Sequence, residues 1–284
     1  MVNEDHYLKV YEQRWNESIG TKDECLIHRR APRTQAEFFY AHYNRIISSQ
    51  IDHGARVLEI GCGRATCSAY LALHKGARVL ATDYSPCALE IAKKNFSNLG
   101  VSAAVRRYSF YDSSVDLGEF DAIVSVGVME HIEDIAGVMT NLSRHLVPGG
   151  LFLSINVPET TSVQDYFAKA NRLLLGLSSM LKRRDKPWLD RASFSKTDGV
   201  FRSSMSLREF CDGICKLGYD VVVAQHVNPF PTIGPLPRFM ESVLVRCYSL
   251  FCSVSTVIFR RDTFITREGL GRASFTAFRK CGRE

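Results

Sequence analysis

The chain has 284 residues, 45% of them hydrophobic and 23% charged, enough to bury a full core as one large domain or as one domain plus a small second one. It contains no uncharged apolar run of about 18 residues, which excludes a simple membrane-spanning helix, and residues 1–15 carry acids in place of a leader's apolar stretch. The net charge of +6 is uneven: residues 1–181 hold 18 basic and 20 acidic side chains, whereas residues 182–284 hold 18 and 10. Nine cysteines, an odd number without regular spacing, read as reduced thiols of a cytoplasmic protein.

Residues 1–50 read as an N-terminal helical cap. From residue 51 the pattern becomes regular. "RVLEIGC" is a strand, and "ATCSAYLALHKG" a helix ending at Gly76. "ARVLATD" is a second strand, and a helix follows with Pro86 early in it and Gly100 just past its end. "VSAAVRRYS", "FDAIVSVGV" and "GGLFLSINV" are strands three to five, with the helix "EDIAGVMTNLSRHL" between the last two. "MSLREFCDGICKLGYDVVVAQHV" reads as a helix closed by Gly218 and then a strand, and "RASFTAFRK" as a last strand. Strands alternating with helices at this spacing predict an α/β fold with a mostly parallel sheet covered on both faces. The core then spans residues 51–227 and 271–284. Segments 158–204 and 228–270 are insertions, expected to form a substrate lid.

The stretch "VLEIGCGRAT" carries the first functional signal. A Gly-x-Gly turn after the first strand brings backbone close to a ligand in the crevice at the strands' carboxyl ends. The dinucleotide pattern needs a third glycine, and Thr66 stands there. Glu59, two residues before Gly61, would repel a pyrophosphate and suits a cation. Asp83, at the end of the second strand, is placed to accept from ribose hydroxyls, a feature that nucleotide-binding sheets share.

Four blocks in order, "VLEIGCGRAT", "ATDYSPCALEIAKKN", "YDSSVDLGEFDAIVSVGVMEHIED" and "LSRHLVPGGLFLSI", resemble the class I S-adenosylmethionine-dependent methyltransferases. The resemblance covers residues 55–157 and resumes at 205–227. It implies a Rossmann-like seven-stranded sheet whose last strand runs antiparallel beside the strand at 220–227. It also implies S-adenosyl-L-methionine as cofactor. Glu59, Gly61 and Gly63 would hold the methionine part, and Asp83 the ribose, with Tyr84 packing beside the adenine. Tyr111 and Asp112 follow the third strand, Asp112 accepting from the adenine amino group. Val126 and Gly127 would close over the methyl-bearing end. Ala65 and Tyr111 depart from glycines often found at those positions.

Methyl transfer is an in-line displacement, so holding the two partners in line supplies much of the catalysis. A base is needed only where the acceptor must lose a proton, and Glu130 and His131 after the fourth strand are the candidates. The fourth strand ends in "SVGV" where "NPPY" or "DPPY" would stand, which argues against DNA-base and glutamine acceptors, and nothing here has metal-ligand spacing. The acceptor expected is a small, moderately hydrophobic molecule, methylated at oxygen before nitrogen or carbon, with Tyr11 and Trp15 of the cap shaping its pocket. Apolar runs ending in arginine, in 158–204 and 228–270, would equally suit weak contact with an anionic membrane surface. Three alternatives stand beside this reading. One is a lipid-modifying enzyme resembling the cyclopropane-fatty-acid synthases, which the block around Glu130 resembles over some twenty residues. The others are an NAD-linked oxidoreductase and a catalytically inactive cofactor-binding partner; nucleic-acid methylation has only the basic charge of residues 182–284 in its favour.

Overall fold

A computed structural model describes residues 9–13, 15–16, 31–168, 171–173, 201–234, 236–260 and 262–282. Helix α1 (Gln35–Ser48) opens on a capping box, Thr34 accepting from Glu37 N while the Glu37 carboxylate accepts from Thr34 N. The alternating units follow: β1 (Arg56–Ile60), α2 (Thr66–Lys75), β2 (Arg78–Asp83), α3 (Pro86–Leu99), β3 (Ala104–Arg107) and β4 (Phe120–Val126). A 3-10 turn (Met129–His131) leads to α4 (Ile135–Ser143) and β5 (Leu146–Asn156). Then come α5 (Leu207–Cys215), β6 (Tyr219–Val227), α6 (Arg238–Phe259), β7 (Ile265–Thr266) and β8 (Ala273–Lys280). The punctuation read from the sequence sets these limits: Pro86 starts α3, and Gly76 and Gly100 close α2 and α3 in the left-handed conformation.

The sheet order is β3-β2-β1-β4-β5-β8-β6-β7. β1 to β5 pair in parallel, and β8 inserts antiparallel to both β5 and β6. The expected insertion of the last strand beside 220–227 is present. The expected seven strands become eight, because β7 adds a two-residue edge to β6. Its pairing lies within the segment assigned to insertion, where two residues carry no readable alternation. One sheet face packs on α1, α2 and α6 through Phe38, Ile47, Leu71, Phe264 and Phe275. The other packs on α4 and α5 through Phe152, Met139, Phe210 and Phe278. Strand order reverses between β1 and β4, so the crevice opens at their carboxyl ends.

Helix α6 corrects the expectation that nothing is long and apolar enough to cross a membrane. Arg238–Ile258 passes that test, with mean hydropathy 1.3, because Glu241 and Arg246 interrupt the run without making it polar. In this fold α6 lies along the body. Val245, Cys252 and Ser255 are buried, and Tyr248 packs its ring 4.7 Å from that of Phe230.

Candidate functional site

Past β1 the chain turns left-handed three times, with φ of +59° at Gly61, +52° at Gly63 and +55° at Ala65. A Cβ on Gly61 would stand 2.5 Å from Val128 Cγ2, so only glycine lets this loop approach the one after β4. A Cβ on Gly63 would stand 2.7 Å from the Trp15 ring, which covers the loop from the N-terminal segment. Ala65 is the N-cap of α2 and offers no side-chain cap. Glu59 supplies one from the neighbouring strand, accepting from Ser68 N at 2.9 Å and from the Ser68 hydroxyl. Only 3% of Glu59 is exposed. Burial foremost pushes its carboxyl up to about 7, against the pull of the two Ser68 bonds.

Asp83 ends β2 and ties the loop down, one oxygen accepting from Gly63 N and the other from Ser85 N, each at 2.9 Å. A carboxylate has about four acceptor sites, so capacity for further hydroxyl donors remains. Burial raises its carboxyl above the ordinary range, and Glu12 of the N-terminal segment is close enough to add to that rise. Glu12 Oε1 is itself buried without a hydrogen-bond partner. Tyr84 is half-buried, with the Arg107 guanidinium 5.1 Å from its ring centroid. Tyr111 is half-buried beside Phe110. Asp112 is exposed and uses one oxygen in its own turn, accepting from Ser114 N and Oγ at 2.9 and 2.6 Å, which holds its carboxyl below the usual range. Val126 is the last residue of β4, and Gly127 N donates to Ile155 O at 2.8 Å, closing β4 onto β5.

On the other side of the crevice, Glu130 is 4% exposed. Its Oε1 accepts from Val157 N at 3.2 Å, its Oε2 is buried without a partner, and burial lifts its carboxyl to about 7. His131 Nδ1 lies 2.8 Å from Phe201 O. A carbonyl only accepts, so Nδ1 carries the proton and neutral imidazole keeps its lone pair on Nε2. The Tyr11 ring meets His131 edge-on, centroids 6.2 Å apart. Tyr40 of α1 is held above the ordinary phenol range by burial, within electrostatic reach of Glu59, Arg64 and Glu130.

The structure thus gathers Glu59, Gly61, Gly63, Asp83, Glu130, His131, Tyr11 and Trp15 at one sheet edge and leaves Asp112 on the rim. Sequence reasoning missed Glu12. Its only signal was its place on the same short helical stretch as Tyr11 and Trp15. The four acids Glu12, Glu59, Asp83 and Glu130, two of them with an unpartnered buried oxygen, repel a pyrophosphate. They fit hydroxyl donors and positive charge, which is the donor set of a sulfonium nucleoside with an ammonium tail. Among the described residues no group of three or more His, Cys, Asp and Glu could hold a metal.

Comparison with known proteins agrees with the fold. Residues 57–150 match a family described as "Methyltransferase domain". The ubiquinone biosynthesis O-methyltransferase of Methylocella silvestris is 33% identical over 107 residues, 38% of this chain and 41% of that protein. Its counterpart in Xanthomonas oryzae pv. oryzae is 35% identical over 111 residues, 38% of this chain and 46% of that protein. The match therefore spans under half the length of these relatives. Among solved structures, the [4+2]-cyclase SpnF superposes with a TM-score of 0.59 at 13% identity, over 98% of this chain and 96% of that one. Residues 57–150 thus carry a methyltransferase domain, set in a mostly parallel sheet into which the last strand inserts antiparallel.

Proposed function

We propose that this protein transfers a methyl group to a hydroxyl or phenol of a small, moderately hydrophobic molecule. The observation that carries the reading is the convergence of Glu12, Glu59 and Asp83 on the left-handed glycine loop, with His131 facing the same crevice in its Nδ1-protonated form. S-adenosylmethionine would supply an electrophilic methyl on its sulfonium. Glu59 would face the ammonium end, and Asp83 with Glu12 the ribose hydroxyls. Tyr84 and, from the rim, Tyr111 and Asp112 would border the adenine, with Val126 and Gly127 beneath the sulfur. His131 Nε2 would take the acceptor's proton, and Glu130 would set the field beside it.

The acceptor's cover is assigned to Tyr11 and Trp15 of the N-terminal segment and to the described parts of 158–204 and 228–270, residues 174–200 of the first lying outside the described residues. These cross-link through side-chain amides. Gln164 and Thr232 exchange two hydrogen bonds, at 3.1 and 2.8 Å, and Gln35 and Ile233 exchange two more, each at 2.8 Å.

Calorimetric titration with S-adenosylhomocysteine, with NADH as control, tests the cofactor. A methyl-transfer assay over a panel of phenols then tests turnover. His131→Gln should slow transfer by about a hundredfold or more while leaving cofactor affinity unchanged. A fully active variant ends the base assignment. Turnover has to be measured, because the same fold serves a protein named as a cyclase.

A second reading concerns location. The outward face of α6 presents Phe239, Val243, Leu250, Val254, Val257 and Ile258, all 45% exposed or more. Arg238, Arg246 and Arg260 are exposed along the helix and at its end, and its one acid, Glu241, turns inward to accept from Gln35 N at 2.9 Å. An apolar face bordered only by arginine fits an anionic bilayer surface, with α6 lying flat because its inner face is committed to the core. Flotation with phosphatidylglycerol vesicles should recover the protein at low salt, and Leu250→Glu should abolish recovery. Equal recovery with neutral vesicles, or a dimer that buries this face in solution, would refute the reading.

A further inference from the structure

Arg272 immediately precedes β8, and Ser274 pairs with Asn156 at the end of β5, so Arg272 stands at the sheet's carboxyl edge. Its guanidinium lies 5.5 Å from the centroid of the Phe39 ring and donates to the Thr232 hydroxyl. Tyr43 and Tyr248 are near neighbours, and a second guanidinium, that of Arg202, is close enough to weigh on its charge. Both arginines are half-buried, and neither has a carboxylate within ion-pair distance among the described residues.

Arg202 is fixed in place by its own neighbours. Phe201 O receives His131 Nδ1 at 2.8 Å, and Ser203 N donates to Glu130 O at 2.7 Å. One three-residue segment therefore holds the candidate base on one side and a cation on the other. Two half-buried guanidinium groups within electrostatic reach of each other repel, and Glu130, within reach of Arg202, makes no ion pair with it. A planar oxyanion is what their fork geometry accepts, in paired charge-assisted hydrogen bonds. Phe39, Tyr43 and Tyr248 surround Arg272 with aromatic rings.

We propose that Arg272 and Arg202 seat an oxyanion, a carboxylate or a phosphate, on an acceptor with an aromatic or apolar body, whose hydroxyl then faces His131. This deepens the methyltransferase reading and rests on it for the identity of the reacting group. The protein saturated with S-adenosylhomocysteine is titrated calorimetrically with 4-hydroxybenzoate, phenyl phosphate and the neutral 4-hydroxybenzamide. One of the two anions should bind, and which one names the source. The amide should bind at least about tenfold more weakly, since a hydrogen bond to a charged group is worth that much.

Arg272→Met and Arg202→Met should each weaken the anion about ten- to a hundredfold and leave S-adenosylhomocysteine affinity unchanged, with Arg272→Lys in between. Equal binding of amide and acid, no binding of either anion, or indifference to both methionine variants overturns the seat. Should Arg272→Met fail to fold, Arg202→Met and Arg272→Lys carry the comparison. The same titrations without S-adenosylhomocysteine separate the two readings. Loss of cofactor binding with the anion retained overturns the methyltransferase reading alone.

Discussion

Glu59 offers the sharpest quantitative test. Its carboxyl moves from 4.5 to about 7 because burial, with Asp83 nearby, disfavours the charged form more than the two Ser68 bonds favour it. Such a carboxyl binds its proton more tightly folded than unfolded. Its contribution is therefore fully present below pH 4.5 and is lost as pH rises to about 7. The displacement corresponds to a loss of about 3 kcal/mol by pH 8. Glu130, also lifted to about 7, adds a second loss of the same sign and window. Glu59→Gln keeps a carbonyl oxygen for Ser68 N and removes the charge. Urea unfolding at pH 5, 6, 7 and 8 without cofactor should show the variant losing stability less steeply than the wild type as pH rises and overtaking it at pH 8, by up to about 3 kcal/mol. A slope unchanged by the substitution would mean that Glu59 ionises in the fold as it does unfolded, and the burial argument would fail. A cationic ligand acts in the opposite sense. If Glu59 meets the ammonium of S-adenosylhomocysteine, affinity for it should rise with pH up to about 7 in the wild type and be flatter in the variant.

Other outcomes follow from single contacts. Gly63→Ala should cost about 1–2 kcal/mol in backbone strain plus the displacement of Trp15. In a Trp15→Ala background only the strain should remain, so a double-mutant cycle on denaturation midpoints should show coupling of at least about 0.5 kcal/mol, and strict additivity would refute the contact. Asp83→Ala should weaken S-adenosylhomocysteine at least tenfold by calorimetry, and should also cost about 1–2 kcal/mol of stability by leaving Gly63 N and Ser85 N unpaired. Thr276 Oγ1 is buried without a partner, so Thr276→Val should be neutral or stabilising by about 1 kcal/mol in urea melts, and a clear loss would reveal a bound water there.

The sheet was legible where local chemistry and tertiary demand agree. Pro86 and Gly100 bracket α3 because one fixes φ at a helix start and the other accepts a positive φ at its end. The antiparallel insertion of β8 between β5 and β6 was not readable from its alternation, and only the resemblance supplied it. The two-residue β7 carries no periodicity at all, and α6 is apolar on its outward face as well as its buried one, which hides its amphipathic stripe. At the site, Glu59, Gly61, Gly63 and Asp83 stood out because they cluster within one βαβ unit. Glu12, Arg202 and Arg272 come from distant parts of the chain to one sheet edge, and no spacing along the sequence encodes that meeting. Asp112 shows the opposite case. Asp-Ser-Ser is a strong local turn signal, and the fold uses it as one.

Asn228 links these levels and can be tested by two substitutions that differ only in backbone freedom. It takes φ +63° while 1% exposed, and its Nδ2 donates to Tyr43 OH at 2.8 Å. Its carbonyl accepts from Arg272 N at 3.0 Å, so the residue fixes both the tyrosine and the arginine of the proposed anion seat. Asparagine tolerates the left-handed region better than most side chains, and its amide satisfies a buried phenol there. Asn228→Gly keeps the conformation and loses the amide, leaving Tyr43 OH and Phe230 N without it, at a cost of about 1–3 kcal/mol. Asn228→Ala loses the same bonds and adds the strain, for about 1–2 kcal/mol more. Urea melts that place the two variants level would show that strain at 228 is absent and that the corner is held by the hydrogen bonds alone. With the strain confirmed, the glycine variant should bind 4-hydroxybenzoate or phenyl phosphate more weakly although it retains Arg272, because a guanidinium whose own backbone is loosened recognises a planar anion less well.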